Sequence, residues 1–540
     1  MPNDISWLDA ARAAATSGLV RIGDVRRIPE FAAAAWQYGP TPATLLAVNA
    51  IRTPAHPAVI DELGVLTYGR LRIRAAAIAA ALYARAGGKP RVVAVLCRNH
   101  RGFVEGILAA SQLGSEIVLL NTELPQQQLE RILARHRPEV LIHDAEYEDA
   151  ISAANFPGLR ITAWTESATT GATLDSLATE THPAPPPQHS AAHFTMLTSG
   201  TTGVAKGVSR PIPRRALVEL AATAMATMRL SRKDIALIGP PFFHGFGVAA
   251  LVGALTVGAT VLCHRRFDPA GALAAIEKHG ATVFFGVPVM LQRLLDVPEE
   301  QRKRYVTRSL RLAVTGAAPI TPTTVSRFID AFGPILLNGY GSTEAGIISI
   351  AAPDDLRRAP KTAGRPAIGV SIRILRADRT PARTGETGTI FIRGGIGFHG
   401  YTPDPAGDPA AKEVVDGHLN TGDMGHFDAA GRLYIDGRDD DMIVSGGENI
   451  YPGEVENALA THPAIAEVAV TGIAHPEYGQ VLRAYLVTAA GRAEPSAQDL
   501  KDHLGAALER YKIPKEFVFL DSLPRNATGK LLKTRLPQQN

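Results

Sequence analysis

The sequence predicts an α/β protein. A large N-terminal domain holds two mostly parallel sheet-and-helix subdomains and a small antiparallel β-subdomain, and a smaller α+β C-terminal domain follows. Three observations predict this. At 540 residues the chain is longer than one hydrophobic core usually organises. From about residue 90, short β-branched runs alternate with runs of helical period. From about residue 370 the texture changes to short strands separated by Gly-rich turns.

Taken in order, a strand is expected over residues 92–97, a helix over 103–113 and a strand over 117–120. Leu129, Ile132 and Leu133 then share a helix face before a strand at 140–142. This βαβαβ order implies a mostly parallel sheet. After the Pro-rich linker 183–187 the same order returns, with strands at 235–238, 260–263, 282–285, 310–314 and 335–337. The turn Gly385-Glu386-Thr387-Gly388, followed by a strand at 389–393, belongs to the antiparallel part. Past Arg438 come a helix from about Pro452, strands at 468–473 and 481–487, and a helix over about 496–510. The expected boundaries are a domain over 1–437 (subdomains about 40–190, 191–350 and 351–437) and a cap over 438–540. Residues 1 to about 40 are Ala-rich and helical in pattern, with no assignable role.

Composition excludes several classes. With 46% hydrophobic and 20% charged residues, the chain is neither disordered nor of low complexity. Its 56 basic and 52 acidic residues are interleaved, so no nucleic-acid patch is expected. Cys97 and Cys263 make no disulfide framework or zinc spacing, which fits a reducing, cytoplasmic setting. The start (Asp4, Trp7, Asp9) lacks the order of a signal peptide, and residues 536–540 carry no lipidation motif. Residues 235–263 contain no Lys, Arg, Asp or Glu and are long enough to span a bilayer. Pro240, Pro241, Gly245, Gly247, Gly253 and Gly258 break that stretch into strand- and helix-length pieces, so it reads as buried α/β core.

The residues that carry chemistry begin at 196–207, where Thr198, Ser199, Gly200, Thr201, Thr202, Gly203 and Lys206 follow a predicted strand. Glycines let backbone N–H groups approach phosphate oxygens, four hydroxyls can donate, and Lys206 adds a point charge. Alone, the loop reads equally as a flexible turn. It is not a Walker A loop, because Gly207 follows Lys206. Nor does Gly339-Tyr340-Gly341 open a dinucleotide fingerprint, since Glu344 stands where the third glycine belongs.

Five further motifs arrive in order: Pro241-Phe242-Phe243-His244-Gly245-Phe246-Gly247, Asn338-Gly339-Tyr340-Gly341-Ser342-Thr343-Glu344, Thr421-Gly422-Asp423, Gly437-Arg438-Asp439-Asp440-Asp441 running into Ser445-Gly446-Gly447-Glu448-Asn449-Ile450, and Pro524-Arg525-Asn526-Ala527-Thr528-Gly529-Lys530. From about residue 40 to its end, the chain resembles the adenylate-forming superfamily of acyl-CoA ligases, luciferases and peptide-synthetase adenylation domains. It looks most like bacterial fatty-acyl-CoA ligases, on Arg265-Arg266-Phe267-Asp268-Pro269 and Tyr511-Lys512-Ile513-Pro514.

The resemblance implies ATP, Mg²⁺ and coenzyme A as the small molecules used, with roles assigned as follows. Glu344 reaches a hydrated Mg²⁺ on the nucleotide phosphates, a job its carboxylate suits, although by itself it reads as a solvated turn acid. Thr343 is a phosphate hydroxyl. Asp423 offers two acceptors to the ribose hydroxyls and Arg438 donates to the same sugar and nearby phosphate; alone they read as a turn acid and a surface arginine. Gly316, Ala317, Ala318, Asn338, Gly339 and Tyr340 form the adenine slot, with Tyr340 on the base, and Ile435 lies among the nucleotide contacts. Lys530, otherwise a solvated tail lysine, bridges the substrate carboxylate and the α-phosphate, where charge develops during attack.

The resemblance further implies two steps. Carboxylate attack on the ATP α-phosphorus gives acyl-AMP and pyrophosphate, and a thiol then displaces AMP. A mobile cap would swing about Asp440, withdrawing Lys530 and presenting Ser445, Gly446 and Gly447 to the pantetheine arm, whose tunnel suits residues without a Cβ. His244 resembles an aromatic gate, and also reads as a satisfied core histidine. No aspartate accompanies the second motif, which argues against an amino acid substrate. Phe246, Val287, Pro288, Gly316, Gly341, Ala345, Gly346 and Ile347 would line an apolar pocket. Two departures from the family pattern stand out. Ala205 replaces the usual loop proline, and Pro211 and Pro213 delay the next helix.

The expectation is therefore an AMP-forming acyl-CoA ligase for an apolar acid, a medium- or long-chain fatty acid. The alternatives are an aryl-CoA ligase, an enzyme loading a carrier protein's pantetheine, a nucleotide-binding regulator without catalysis, and, on the uncharged stretch alone, a transporter. Neither nucleic acid nor a transmembrane segment is expected. Peripheral membrane contact, a carrier protein and a dimer stay open.

Overall fold

The computed structural model describes residues 6–17, 22–167, 169–187, 192–199, 205–209, 214–342, 346–394, 413–445, 448–476, 478–526 and 529–537, with the backbone alone at 16, 17, 22, 23, 197–199, 205–209, 214–217, 440, 444, 448, 449 and 534. Among these, residues up to Val314 gather into one compact unit and residues from Thr315 onward into a second.

The first unit is built on two sheets. One runs in the order Leu159–Trp164, Val140–Asp144, Val92–Leu96, Glu116–Leu119, His193–Ser199, Ala205–Ser209. Every neighbouring pair in it is parallel except the last. The helix Arg101–Gln112 is buried from Gly102 to Ser111. Helix Gln126–His136 buries only the Leu129, Ile132, Leu133 face its spacing predicts, against Val118 and Leu141. At about 1.5–3 kcal/mol for each buried leucine or isoleucine, such faces rather than helix propensity hold the layers together.

In the other sheet, Leu312–Gly316, Val283–Phe285, Ile235–Ile238, Thr260–Leu262 and Pro57–Asp61 run parallel, and Gly64–Thr67 closes the edge antiparallel. The uncharged stretch becomes the strand Ile235–Ile238, the helix Gly245–Val257 and the strand Thr260–Leu262, so its apolarity serves a core. No helix among the described residues is long and apolar enough to cross a membrane. Sheet membership crosses the Pro-rich linker in both directions. Pro57–Asp61 pairs with Thr260–Leu262, while His193–Ser199 pairs with Glu116–Leu119. Before residue 40 lie the helices Trp7–Ser17 and Ile28–Tyr38. Cys97 and Cys263 are buried and unpaired.

In the second unit, Leu336–Ser342 and Gly346–Ala351 form an antiparallel pair. Ser371–Leu375, Gly388–Arg393, His418–Phe427 and Leu433–Arg438 make the expected antiparallel sheet. Past Arg438 a further sheet is centred on Ile465–His475 and Gly479–Thr488, with Glu516–Phe519 parallel to the latter. Its core is Ile443, Val455, Leu459, Val470, Leu482, Leu486, Leu500 and Leu504. The last helix, Ala497–Gly505, stops earlier than the sequence pattern suggests. Ser496 caps its start, and after Gly505 the chain tightens into the turn Arg510–Lys512, pinned by Lys512 on Glu454 at 2.9 Å.

Candidate active site

The second unit brings Tyr340, Asp423 and Arg438 together. Asp423 and Arg438 face each other across the antiparallel strands His418–Phe427 and Leu433–Arg438, with Arg438 Nη1 3.8 Å from Asp423 Oδ1. Tyr340 donates its hydroxyl hydrogen to Asp423 Oδ2. Burial, then the Asp423 charge, pushes the phenol well above its usual 10.0, so it stays a donor at neutral pH. The backbone that carries Asp423 is held as well. Asp423 N–H donates to Thr421 Oγ1 at 3.1 Å, and Thr421 Oγ1–H donates to the Ile390 carbonyl at 3.0 Å. Asn420 Oδ1 accepts from Gly422 N–H at 2.8 Å, and Gly422 turns at φ +82°, where glycine is favoured. This cluster can present carboxylate acceptors and guanidinium donors to a polyol.

Beside it, the backbones of Gly316 and Gly339 approach so closely that a Cβ on Gly316 would lie 2.7 Å from the Gly339 carbonyl oxygen. Ala317 follows at φ +66°, a region alanine rarely adopts. Ala318 is half-buried and Ala317 exposed, so the turn offers its backbone outward. Asn338, Gly339 and Tyr340 pair with Ala351, Ile350 and Ser349. Ile435 and Tyr340 both pack against the small core of Ile348, Ile374, Ile390, Ile392 and Leu433. At Gly341 a Cβ would collide with the Gly346 carbonyl and crowd Ile347, so the hairpin itself demands the missing side chain. Thr343, Glu344 and Ala345 lie outside the described residues.

In the first unit the glycine-threonine segment joins two antiparallel strands, with Thr198 opposite Lys206 and Ser199 opposite Ala205. Gly200, Thr201, Thr202 and Gly203 lie outside the described residues. His244 caps the helix Gly245–Val257, its Nδ1 accepting from Phe246 N–H at 3.4 Å. Phe246 meets the edge of Phe285 at 6.2 Å between ring centres. Val287 and Pro288 are buried at the start of the helix Pro288–Asp296.

The terminal segment presents Lys530 as an exposed side chain. Its backbone is clasped, since Lys530 N–H donates to Asn526 Oδ1 and Asn526 N–H to the Lys530 carbonyl, each at 2.9 Å. Arg525 reinforces the turn, donating to the Gly529 carbonyl at 2.8 Å and to Glu467 at 2.6 Å. The expected hinge, Asp440, lies in the 3₁₀ turn Asp439–Asp441, and Lys533 reaches Asp441 at 3.3 Å. Ser445 is buried and pairs through its backbone with Glu448 and Gly479; Gly446 and Gly447 lie outside the described residues. Sequence reasoning missed Asn420 and the Thr421 hydroxyl as braces for Asp423; polar residues flanking a glycine turn were the available signal.

The AMP-binding enzyme family matches residues 46–402, and the AMP-binding enzyme C-terminal domain matches residues 454–530. The 3-(7a-methyl-1,5-dioxo-octahydroinden-4-yl)propanoyl:CoA ligase of Mycobacterium tuberculosis is 35% identical, over 89% of this chain and 96% of that protein. The indoleacetate–CoA ligase of Aromatoleum aromaticum is 34% identical, over 88% and 93%. Among solved structures, the o-succinylbenzoate CoA synthetase of Bacillus subtilis with its acyl-adenylate superposes with a TM-score of 0.78 at 31% identity, over 92% of this chain and 98% of that one. The same synthetase has been solved with ATP and magnesium.

Proposed function

The chain belongs to the AMP-binding enzyme family, and from that premise we propose that it activates a ring-bearing, largely apolar carboxylic acid for transfer to coenzyme A. It is an ATP-dependent acid–thiol ligase, and ATP, Mg²⁺ and coenzyme A are its small molecules. The proposal concerns the acid and the residues that do the work.

The observation that carries the choice of acid is that the similar ligases named above act, by their names, on a dioxo-octahydroindene propanoate, indoleacetate and o-succinylbenzoate. All three put a ring behind a short carboxylate arm. A medium- or long-chain fatty acid, the first expectation, finds no support among them. A gate held by His244 and an edge set by Phe246 and Phe285 suit a flat or compact ring.

In the first step a carboxylate oxygen bonds to the α-phosphorus and pyrophosphate leaves. Asp423 and Arg438 hold the ribose, Tyr340 braces Asp423, and the Gly316–Gly339 approach forms the adenine slot. Thr198, Ser199 and Lys206 flank the loop that takes the phosphates. Mg²⁺, when bound, neutralises phosphate charge; Glu344, its expected ligand, lies outside the described residues. Lys530 stabilises the charge developing between carboxylate and α-phosphate. In the second step the thiol sulfur bonds to the acyl carbon, AMP leaves, and the thiol proton passes to solvent. For that step the cap turns at Asp440, and Ser445, Gly446 and Gly447 line the pantetheine path. The reaction belongs in the cytoplasm, where ATP and coenzyme A are supplied.

The test is AMP release with and without coenzyme A, using indole-3-acetate, o-succinylbenzoate, hexanoate and decanoate. Ring acids should exceed decanoate in kcat/KM by about tenfold or more, within the range a shaped apolar pocket provides. Preference for decanoate would overturn the choice of acid. Turnover that requires a pantetheine-bearing protein rather than free coenzyme A would overturn the acceptor.

A further inference from the structure

We propose that Asn99 is a positioning residue for acid recognition, acting by clamping the segment that carries His244 and Phe246. Asn99 is buried in the loop after the strand Val92–Leu96. Its Nδ2–H donates to the Pro240 carbonyl at 2.8 Å, and its Oδ1 accepts from Phe242 N–H at 2.7 Å. The opposite polarity of the two backbone groups leaves only this orientation of the amide.

The segment needs such a partner because of its sequence. Pro240 and Pro241 bring no N–H, so Phe242 provides the first backbone donor after Gly239. Buried, that donor and the Pro240 carbonyl would each be costly to leave unmet. Asn99 satisfies both, and Phe242 is then wedged against Phe103 with ring centres 5.3 Å apart. From there the geometry passes directly to the gate. His244 N–H donates to the Pro241 carbonyl at 3.1 Å, and Gly247 packs so tightly on Pro241 that no Cβ fits. The chain from Pro240 to Gly247 is therefore tied into one piece, and Asn99 sets where that piece begins.

The post itself is rigid. Asp144 accepts from Arg98 N–H at 3.0 Å and bonds His100 Nε2 at 2.7 Å, gripping the residues on both sides of Asn99. His100 Nδ1 accepts from Gly102 N–H at 3.0 Å, fixing the loop to the helix Arg101–Gln112. Arg101 is bound in turn by Asp61 at 3.0 Å. Buried amides with this much support transmit position with little slack.

The inference rests on the acid-activating reading, and its test separates the two. AMP release by the unaltered enzyme with the four acids tests the reading. For Asn99, the readout is the ratio of kcat/KM between the best and second-best of those acids, which a loss of folded enzyme cannot change. Asn99→Ala should alter that ratio by about tenfold while leaving the KM for ATP within about twofold, as expected for a shifted acid-binding segment.

Asn99→Asp provides the second variant. Ionised, the introduced carboxyl cannot donate to the Pro240 carbonyl; protonated, it can. The ratio should therefore differ from that of the unaltered enzyme at about pH 9 and return toward it as the pH falls to about 5.5, because burial pushes ionisation of the carboxyl to higher pH. A ratio unchanged in both variants, or equal losses toward acid and ATP, would overturn the assignment.

Discussion

The Tyr340 hydroxyl donates to the Asp423 carboxylate, so the ring expected to stack on the base also braces the group expected to hold the sugar. Asp423 faces Arg438 across two strands. Orientation of the carboxylate thus depends on a partner from a separate hairpin. Tyr340→Phe should raise the KM for ATP by about fivefold to thirtyfold, the scale of one hydrogen bond to a charged group, with kcat for adenylation little changed. Steady-state kinetics with varied ATP checks this.

The same pair has a pH consequence. Burial and Asp423 raise the phenol pKa in the folded protein above 10.0. A raised value means that the stabilisation of the protonated form is intact below pH 10.0 and is lost as pH rises through the folded value. The KM for ATP should therefore show no titration from Tyr340 between pH 6 and 9. Denaturant midpoints of the unaltered enzyme should fall more steeply than those of Tyr340→Phe once the pH passes about 10.

Two glycines in one helix should respond in opposite directions. A Cβ at Gly247 collides with the Pro241 carbonyl, whereas nothing lies within 4 Å of one at Gly253. Gly247→Ala should cost stability at or above the upper end of about 1–3 kcal/mol for overpacking. Gly253→Ala, in the interior of Gly245–Val257, should stabilise by about 0.5–1 kcal/mol. Urea unfolding of both variants measures the pair.

Much of the architecture was legible because it is local. The runs around Val93, Ile117 and Leu141 are apolar on both faces, as buried parallel strands require, and Leu129, Ile132 and Leu133 repeat at helical spacing. What escaped is long-range. Pairing of Val59 with Val261 leaves no trace in the residues between them, nor does the return of His193–Ser199 to the first sheet. Motif order singled out Asp423, Arg438 and Tyr340 individually as candidates, and the structure brings the three together. Their mutual contacts depend on strand register, with Asp423 opposite Arg438, which the individual motifs do not encode. His244 as a helix cap was hidden for a different reason: histidine is an uncommon cap, and only the position of Phe246 N–H reveals it.

The hinge expectation can be separated from the chemistry. Asp440 sits within the 3₁₀ turn Asp439–Asp441, whose last residue is held by Lys533. Asp440→Pro removes rotation about φ at that point. Acyl-AMP should form at close to the normal rate while thioester formation slows by about tenfold or more, as for a blocked conformational step. Rapid-quench measurement of each half-reaction distinguishes this from a general loss.

The most direct measurement concerns Lys530, exposed on its clasped turn between Asn526 and Leu531. In single turnover, Lys530→Ala should slow acyl-AMP formation by about 10²–10³, the scale for losing one stabiliser of developing charge, while thioester formation from supplied acyl-AMP and coenzyme A proceeds as in the unaltered enzyme. Equal slowing of both half-reactions, or none in the first, would contradict the account.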